Sequence, residues 1–160
     1  MNVLIAILIL AVYTLAMIKI IGGIPPSLSE SVFWLKKKDR FIWTLVLFLV
    51  CFLCVPTLLD KSLEGTQFLA FLAIAGLAFV GAAPLVWADE DEMQFQVHQW
   101  GAILCAACSQ ILLALNMPLL LLCWLPFVIA GFVIKWKKWR TMIFWGEMVC
   151  FFSTFAYCLI

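Results

Sequence analysis

Six long runs of apolar residues, separated by short polar joints, limit what this chain can fold into. A helix that crosses the hydrocarbon core of a bilayer needs roughly 20 apolar residues, and each run comes close to that length. Hydrophobic residues make up 67% of the 160 residues, more than a water-soluble core of this size could hide. The sequence therefore predicts one all-α transmembrane domain over residues 1–160, with spans at about 2–21, 41–59, 66–87, 97–115, 118–134 and 142–160.

The basic residues indicate how these six spans are oriented. All but two of the ten lysines and arginines lie in the segments 22–40 and 135–141. Six spans place both segments on the same side of the membrane, together with 88–96. Because cytoplasmic loops carry an excess of lysine and arginine, we predict a multi-pass protein of the inner (plasma) membrane with its basic loops cytoplasmic and both termini external.

The longest loop, residues 22–40, is expected to contain a short helix of its own. Pro25 and Pro26 end the first span, because proline cannot continue a helix. Ser27 and Glu30 have capping-box spacing, and the apolar residues 32–35 run into three lysines. This pattern predicts a short helix lying in the membrane interface after the first span.

The seven cysteines all fall inside apolar runs, although two pairs have C-x-x-C spacing. In loops, that spacing would indicate redox or zinc chemistry. In apolar helices we interpret the cysteines as buried small hydrophobes, and we predict neither a metal site nor a cofactor.

Glu147 is the sharpest candidate for chemistry, because an ionisable group inside a bilayer is costly. It follows Arg140 by about 10 Å of helix rise, which places it inside the last span. Helical spacing puts it on one face with Cys150, Thr154 and Tyr157, and this face is expected to point into the bundle.

His98, the chain's one histidine, begins a second stripe, which continues through Ala102, Cys105 and Ser109 on the fourth span. The topology puts His98 and Glu147 at similar depth, so they could form a proton-transfer pair or the polar end of a ligand cavity. Lys19 is a competing partner for Glu147. The alternatives are that Glu147 is protonated or only links helices by hydrogen bonds, that His98 is interfacial without a ligand, and that Lys19 snorkels to the headgroups.

The four consecutive acids Asp89–Glu92 could bind a hard cation through oxygen ligands. Their spacing does not match an EF-hand loop. We interpret them as the water-facing joint between two spans, pairing electrostatically with the basic loops. Nucleic-acid binding is not expected, because both basic clusters are short and adjoin the membrane.

The stretches IPPSLSESVFWL (24–35), QFLAFLAIAGLAFVGAAPLV (67–86) and VHQWGA (97–102) resemble those of small, uncharacterised six-span bacterial integral membrane proteins. The resemblance covers most of the chain and implies the same topology, but no established activity. The residues that it marks for testing are Ser27, Ser29, Glu30, Gly81, Pro84 and His98.

The leading functional hypothesis is a cytoplasm-facing polar cavity bounded by His98, Glu147, Lys19 and the turn with Ser27, Ser29 and Glu30. This cavity would bind a lipid, a small amphiphile or a partner helix. The expected partners are accordingly membrane lipids and a partner membrane protein or a second copy in a homo-oligomer. One alternative is a small intramembrane lipid-modifying enzyme with Glu147 or His98 as its acid or base and a serine such as Ser27 or Ser29 assisting; convergence of Glu147, His98 and a serine would favour it. The others are a proton-coupled carrier and a structural or interaction protein.

Overall fold

A computed structural model of the protein describes residues 1–86, 92–134 and 140–160, with side chains left undescribed at 84–86 and 92–95. Within these ranges the chain is helical and contains no strand. The helices are α1 (Asn2–Ile21), α2 (Phe41–Lys61), α3 (Gln67–Val86), α4 (Glu92–Asn116), α5 (Leu125–Ile134) and α6 (Met142–Leu159). The predicted all-α bundle of six helices is confirmed, whereas the boundaries of the six membrane spans stay a prediction.

Four helical segments are long and apolar enough to cross a membrane by themselves: Asn2–Ile21, Lys37–Lys61, Gln96–Asn116 and Met142–Leu159. Large apolar side chains are also exposed along the helices, as at Leu8, Phe52 and Phe71. A lipid environment accepts such surfaces, whereas water would not.

The fifth predicted span, 118–134, is built from two kinds of helix. Its first seven residues, Pro118–Trp124, form a 3₁₀ helix that runs directly into α5. A 3₁₀ helix rises about 2.0 Å per residue against 1.5 Å for an α-helix, so the combined segment is about 29 Å long. The 3₁₀ turn thereby lets a short apolar run match the roughly 30 Å hydrocarbon core.

α3 packs closely against both α4 and α2, and its small residues explain why. A Cβ atom added at Gly76 would lie 2.6 Å from the backbone nitrogen of Cys105 and the carbonyl oxygen of Gly101 in α4. On the α2 side, Gly81 approaches Leu47, and its carbonyl accepts a 2.7 Å hydrogen bond from Thr44 Oγ1. Small residues let membrane helices come this close, as the composition of the third span predicted.

The remaining contacts close the bundle around a common interior. α1 packs on α2, α4 packs on α6, and α6 returns to contact both α1 and α2. α5 and its 3₁₀ extension lie against α6 and α4. The interior that results is bounded by α2, α3, α4 and α6.

The predicted short helix after the first span is present, but as a five-residue 3₁₀ helix, Glu30–Trp34. The Ser27 hydroxyl accepts the backbone N–H of Glu30 at 2.9 Å, the contact that the capping-box spacing predicted. Glu30 itself is exposed. Ser31 then donates to the Leu28 carbonyl and lies 3.2 Å from the Tyr13 hydroxyl, which ties this segment to α1.

Candidate functional site

An elongated cavity of about 480 Å³ lies between α2, α3, α4 and α6. Five of its lining residues, Trp43, Leu47, Val50, Cys54 and Leu58, follow one face of α2. They cover about 22 Å of helix rise, which is most of the thickness of a bilayer's hydrocarbon core. The walls are almost entirely apolar. This volume is within the range of about 300–1,000 Å³ that is typical of small-molecule sites.

One end of the cavity carries a carboxyl group. Glu147 of α6 lines the cavity next to Ser29 and Leu28 of the segment after α1. One carboxyl oxygen of Glu147 accepts the backbone N–H of Leu28, and the other accepts the Ser29 hydroxyl at 2.9 Å. The carboxyl group of a cavity-lining residue therefore receives hydrogen bonds from both Leu28 and Ser29.

The chain after α1 is held in the position that these contacts require. α1 ends at Gly22, whose φ of 75° is the left-handed conformation that glycine adopts readily. The Pro26 carbonyl then accepts the backbone N–H of Phe144 at 3.0 Å, in the first turn of α6. Ser27 and Ser29, both buried, lie 3.2 Å apart through their hydroxyls. The proline-serine segment is thus attached to α6 directly below Glu147.

The cavity also reaches the outer surface of the bundle. Ile103 of α4 and Ile143 of α6 both line it, yet they are 55% and 59% exposed. Between them, Phe127 of α5 lines the cavity and approaches Gly146, where an added Cβ would lie 3.6 Å from the phenyl ring. The wall between α4 and α6 is therefore the thin one, and it faces the hydrocarbon of the bilayer.

The opposite end of the bundle is closed by polar groups that bond to one another. The buried Tyr157 hydroxyl donates to the Lys61 carbonyl at 2.7 Å and also to Asn116 Oδ1 at 3.2 Å. Asn116 further accepts the backbone N–H of Leu63 and donates to the Leu112 carbonyl. Thr154 still lines the cavity, whereas Tyr157 does not.

A third polar cluster lies between the two ends, and sequence reasoning missed it. Gln110 of α4 accepts a 2.8 Å hydrogen bond from Trp124 Nε1 and lies 3.3 Å from Ser153 Oγ of α6. It therefore fixes the 3₁₀ helix that precedes α5. The sequence did contain a signal for this cluster: Gln110 is a polar amide inside an apolar span, and Trp124 is a tryptophan away from the membrane interface. Each of these side chains requires a hydrogen-bond partner.

The structure brings together some of the predicted site residues and separates others. Glu147 and Ser29 are in direct contact, and Ser27 is one hydroxyl further away. His98 lies on α4 facing the Val80 carbonyl of α3, and its buried Nδ1 has no hydrogen-bond partner among the described residues. It does not line the cavity. Lys19 and Glu30 are exposed.

The acids of the 89–91 segment lie outside the described residues, and so do Lys135, Lys137 and Lys138. Across the described ranges, no group of three or more histidine, cysteine, aspartate or glutamate residues could hold a metal ion. All seven cysteines are free, and each is buried or half-buried. They behave as small apolar residues, as their position in the spans predicted.

Comparisons with protein-family models, with curated proteins and with solved structures find no match to this chain.

Proposed function

We propose that this membrane protein binds a single-chain amphiphile, with the apolar chain along the cavity and the head group at Glu147 and Ser29. The observation that carries the proposal is the shape and chemistry of the cavity: a long apolar channel that ends at one carboxyl group. An acyl or alkyl chain would make van der Waals contacts with the apolar walls, and the polar end of the channel would fix the direction of the chain.

The thin wall between α4 and α6 supports a ligand that comes from the bilayer. Ile103, Ile143 and Phe127 separate the channel from surrounding lipid. An amphiphile already dissolved in the membrane could enter there without crossing water. A partner helix would not fit in this channel, so it would have to bind elsewhere.

The decisive experiment fills the channel and compares the result with a change on the lipid side of the same helix. Ala106 lines the cavity, whereas its neighbour Ala107 is exposed. Native mass spectrometry of protein released from nanodiscs that contain a lysolipid should show one retained lysolipid per chain in the wild type and in Ala107→Phe. It should show none in Ala106→Phe. Bare wild-type protein, or equal retention in both variants, would overturn the proposal.

A second candidate function, a lipid-modifying enzyme, is favoured by one contact. A serine hydroxyl that donates to a carboxylate has the geometry of a nucleophile and its base. In an ester hydrolysis, Glu147 would take the Ser29 proton as Oγ bonds to the acyl carbon, and it would pass that proton to the alcohol oxygen as the ester C–O bond breaks. Water would then cleave the acyl-serine, which releases the carboxylic acid and restores the Ser29 hydroxyl. Cleavage of a lysolipid ester by the wild type, abolished in Ser29→Ala, would support this function. An intact ester after prolonged incubation would exclude it for that substrate.

The proton-coupled carrier has less support. Its path would have to pass from Thr154 to Tyr157, and the hydroxyl of Tyr157 is instead bonded to Lys61 and Asn116.

Of the two catalytic candidates for an enzyme, only Glu147 lines the cavity. The convergence of Glu147, His98 and a serine that would favour an enzyme is therefore only partly present.

For the location, we propose a bacterial inner membrane with the end near Glu147 on the cytoplasmic side. Lys36, Lys37, Lys38 and Arg40 lie at this end, and the positive-inside rule is the supporting argument. Reporter fusions at the C-terminus test it: a phosphatase that requires export should be active there. Activity of a cytoplasmic reporter at the same position would reverse the orientation. Membership of the small six-span bacterial proteins stays a prediction.

A further inference from the structure

We infer that the head group held at Glu147 is a cation, namely a protonated amine, so that the protein selects cationic over neutral and anionic amphiphiles. This inference rests on the proposed function and adds the charge of the ligand to it. It comes from the balance of hydrogen bonds and charges around one carboxyl group.

Both carboxyl oxygens of Glu147 already accept hydrogen bonds. Leu28 supplies a backbone N–H and Ser29 a hydroxyl, and neither donor carries a charge. The two donors favour the ionised carboxylate, because a carboxylate accepts at both oxygens whereas a carboxylic acid must also donate.

The negative charge itself has no countercharge in the described part of the chain. The hydrogen-bond donors to Glu147 there are neutral groups of Leu28 and Ser29, and the charged group in the described residues that acts on it is another carboxylate, Glu30. Lys19, the cation predicted to pair with it, is exposed. Burial in an apolar channel disfavours a carboxylate without a cation and favours the neutral acid, so a ligand that brings a positive charge would stabilise the ionised form there.

The channel excludes the opposite kind of head group. A phosphate or sulfate at this point would face the Glu147 carboxylate and the nearby Glu30, and the described lining offers no lysine or arginine to neutralise it. Anionic recognition normally uses such cationic donors. A free small amine would meet the carboxylate, but it would leave the apolar channel empty.

The test uses three alkyl probes of the same chain length, an alkylammonium, an alkanol and an alkyl sulfate, together with a short soluble amine. Binding to the purified full-length protein in a non-ionic detergent is measured by native mass spectrometry and by the shift of the unfolding temperature. We expect the alkylammonium to bind at least about tenfold more tightly than the alkanol, which corresponds to one modest charge pair. The alkyl sulfate and the short amine should bind most weakly.

Glu147→Gln provides the matched variant, because it keeps the size and an acceptor oxygen but removes the charge. It should lose the preference for the alkylammonium and retain binding of the alkanol, which also reports that the channel is folded. Ser29→Ala, which removes only a neutral donor, should weaken the preference without abolishing it.

The outcomes separate this inference from the proposed function. Equal binding of alkylammonium and alkanol to the wild type, or an unchanged preference in Glu147→Gln, would overturn cation selection while leaving the amphiphile channel intact. Tight binding of the short amine, without binding of the alkyl probes, would mean that the ligand is a soluble amine and not an amphiphile. Failure of every alkyl probe to bind would overturn both proposals.

Discussion

The two ends of the bundle use buried polar groups in opposite ways. At one end, Tyr157, Asn116 and the backbone at Lys61 and Leu63 bond to one another and close the interior. At the other end, Glu147 receives two donors and still presents its carboxyl group to the channel. In an apolar medium, polar groups that satisfy one another stabilise the fold, whereas a charged group left without a countercharge is available to a ligand. The end at Tyr157 therefore stabilises the fold, and the proposed binding of a head group lies at the end near Glu147.

The largest expected effect on stability concerns the close contact between α3 and α4, which form a wall of the cavity. Gly76→Ala would place a methyl group against the backbone of α4, which cannot move aside as a side chain could. We expect a loss of about 3 kcal/mol in the free energy of unfolding, measured by denaturant titration in detergent. Gly23→Ala is the control, because no atom lies within 4 Å of an added Cβ there and the change should be small. Equal stability of the two variants would mean that α3 and α4 are further apart than described.

The next effect concerns the closed end alone. Asn116→Ala removes the acceptor for Leu63 and Tyr157 and the donor to Leu112. We expect a loss of about 2 kcal/mol in unfolding free energy, with unchanged binding of an alkyl probe. Gln67→Ala is the control at the same end, since this side chain is exposed and makes only a 3.4 Å contact to Leu59. Loss of probe binding in Asn116→Ala would contradict the separation of roles.

A matched pair of tyrosines compares the ends directly. Tyr157→Phe removes a hydroxyl with two partners, and Tyr13→Phe removes one that lies 3.2 Å from Ser31 alone. We expect about 1 kcal/mol for Tyr157→Phe and roughly half of that for Tyr13→Phe, from thermal unfolding of both variants under the same conditions. A larger loss for Tyr13→Phe than for Tyr157→Phe would mean that the contact between Tyr13 and Ser31, near the proposed ligand site, stabilises the fold more.

The smallest stability effect is expected at the site itself. Glu147→Gln keeps an acceptor for Ser29 or Leu28 and removes a buried charge, so the unfolding free energy should change by less than about 1 kcal/mol. Phe144→Ala is the comparison variant on α6, because it empties a buried position and should cost several times more. A large loss in Glu147→Gln would show that the carboxylate is a structural link between α6 and the proline-serine segment.

Local sequence rules predicted the fold well because they depend on neighbours in the chain. The apolar runs predicted all six helices, the prolines and Gly22 predicted the end of α1, and the spacing of Ser27 and Glu30 predicted the hydrogen bond between them. The rules did not distinguish 3₁₀ from α geometry at Glu30–Trp34 or Pro118–Trp124. That distinction depends on how the segment must fit between fixed neighbours, which composition does not encode.

The site was only partly predictable. A carboxylate in an apolar run marked Glu147, but its equal depth with His98 suggested a pair that the structure does not bring into contact. Depth along the membrane follows from sequence position, whereas direction around a helix follows from the order of the helices. In the structure His98 turns toward α3, and Glu147 turns toward the channel and Ser29.

By itself, the sequence determined that this chain is a six-helix membrane protein with an intramembrane carboxyl group in its last helix, because hydrophobic length and the cost of charge are local properties. Only the tertiary structure decided that Glu147 meets Ser29, 118 residues away, at the end of an apolar channel. That meeting depends on how α6 and the proline-serine segment pack together, and long-range packing leaves no fixed spacing in a sequence.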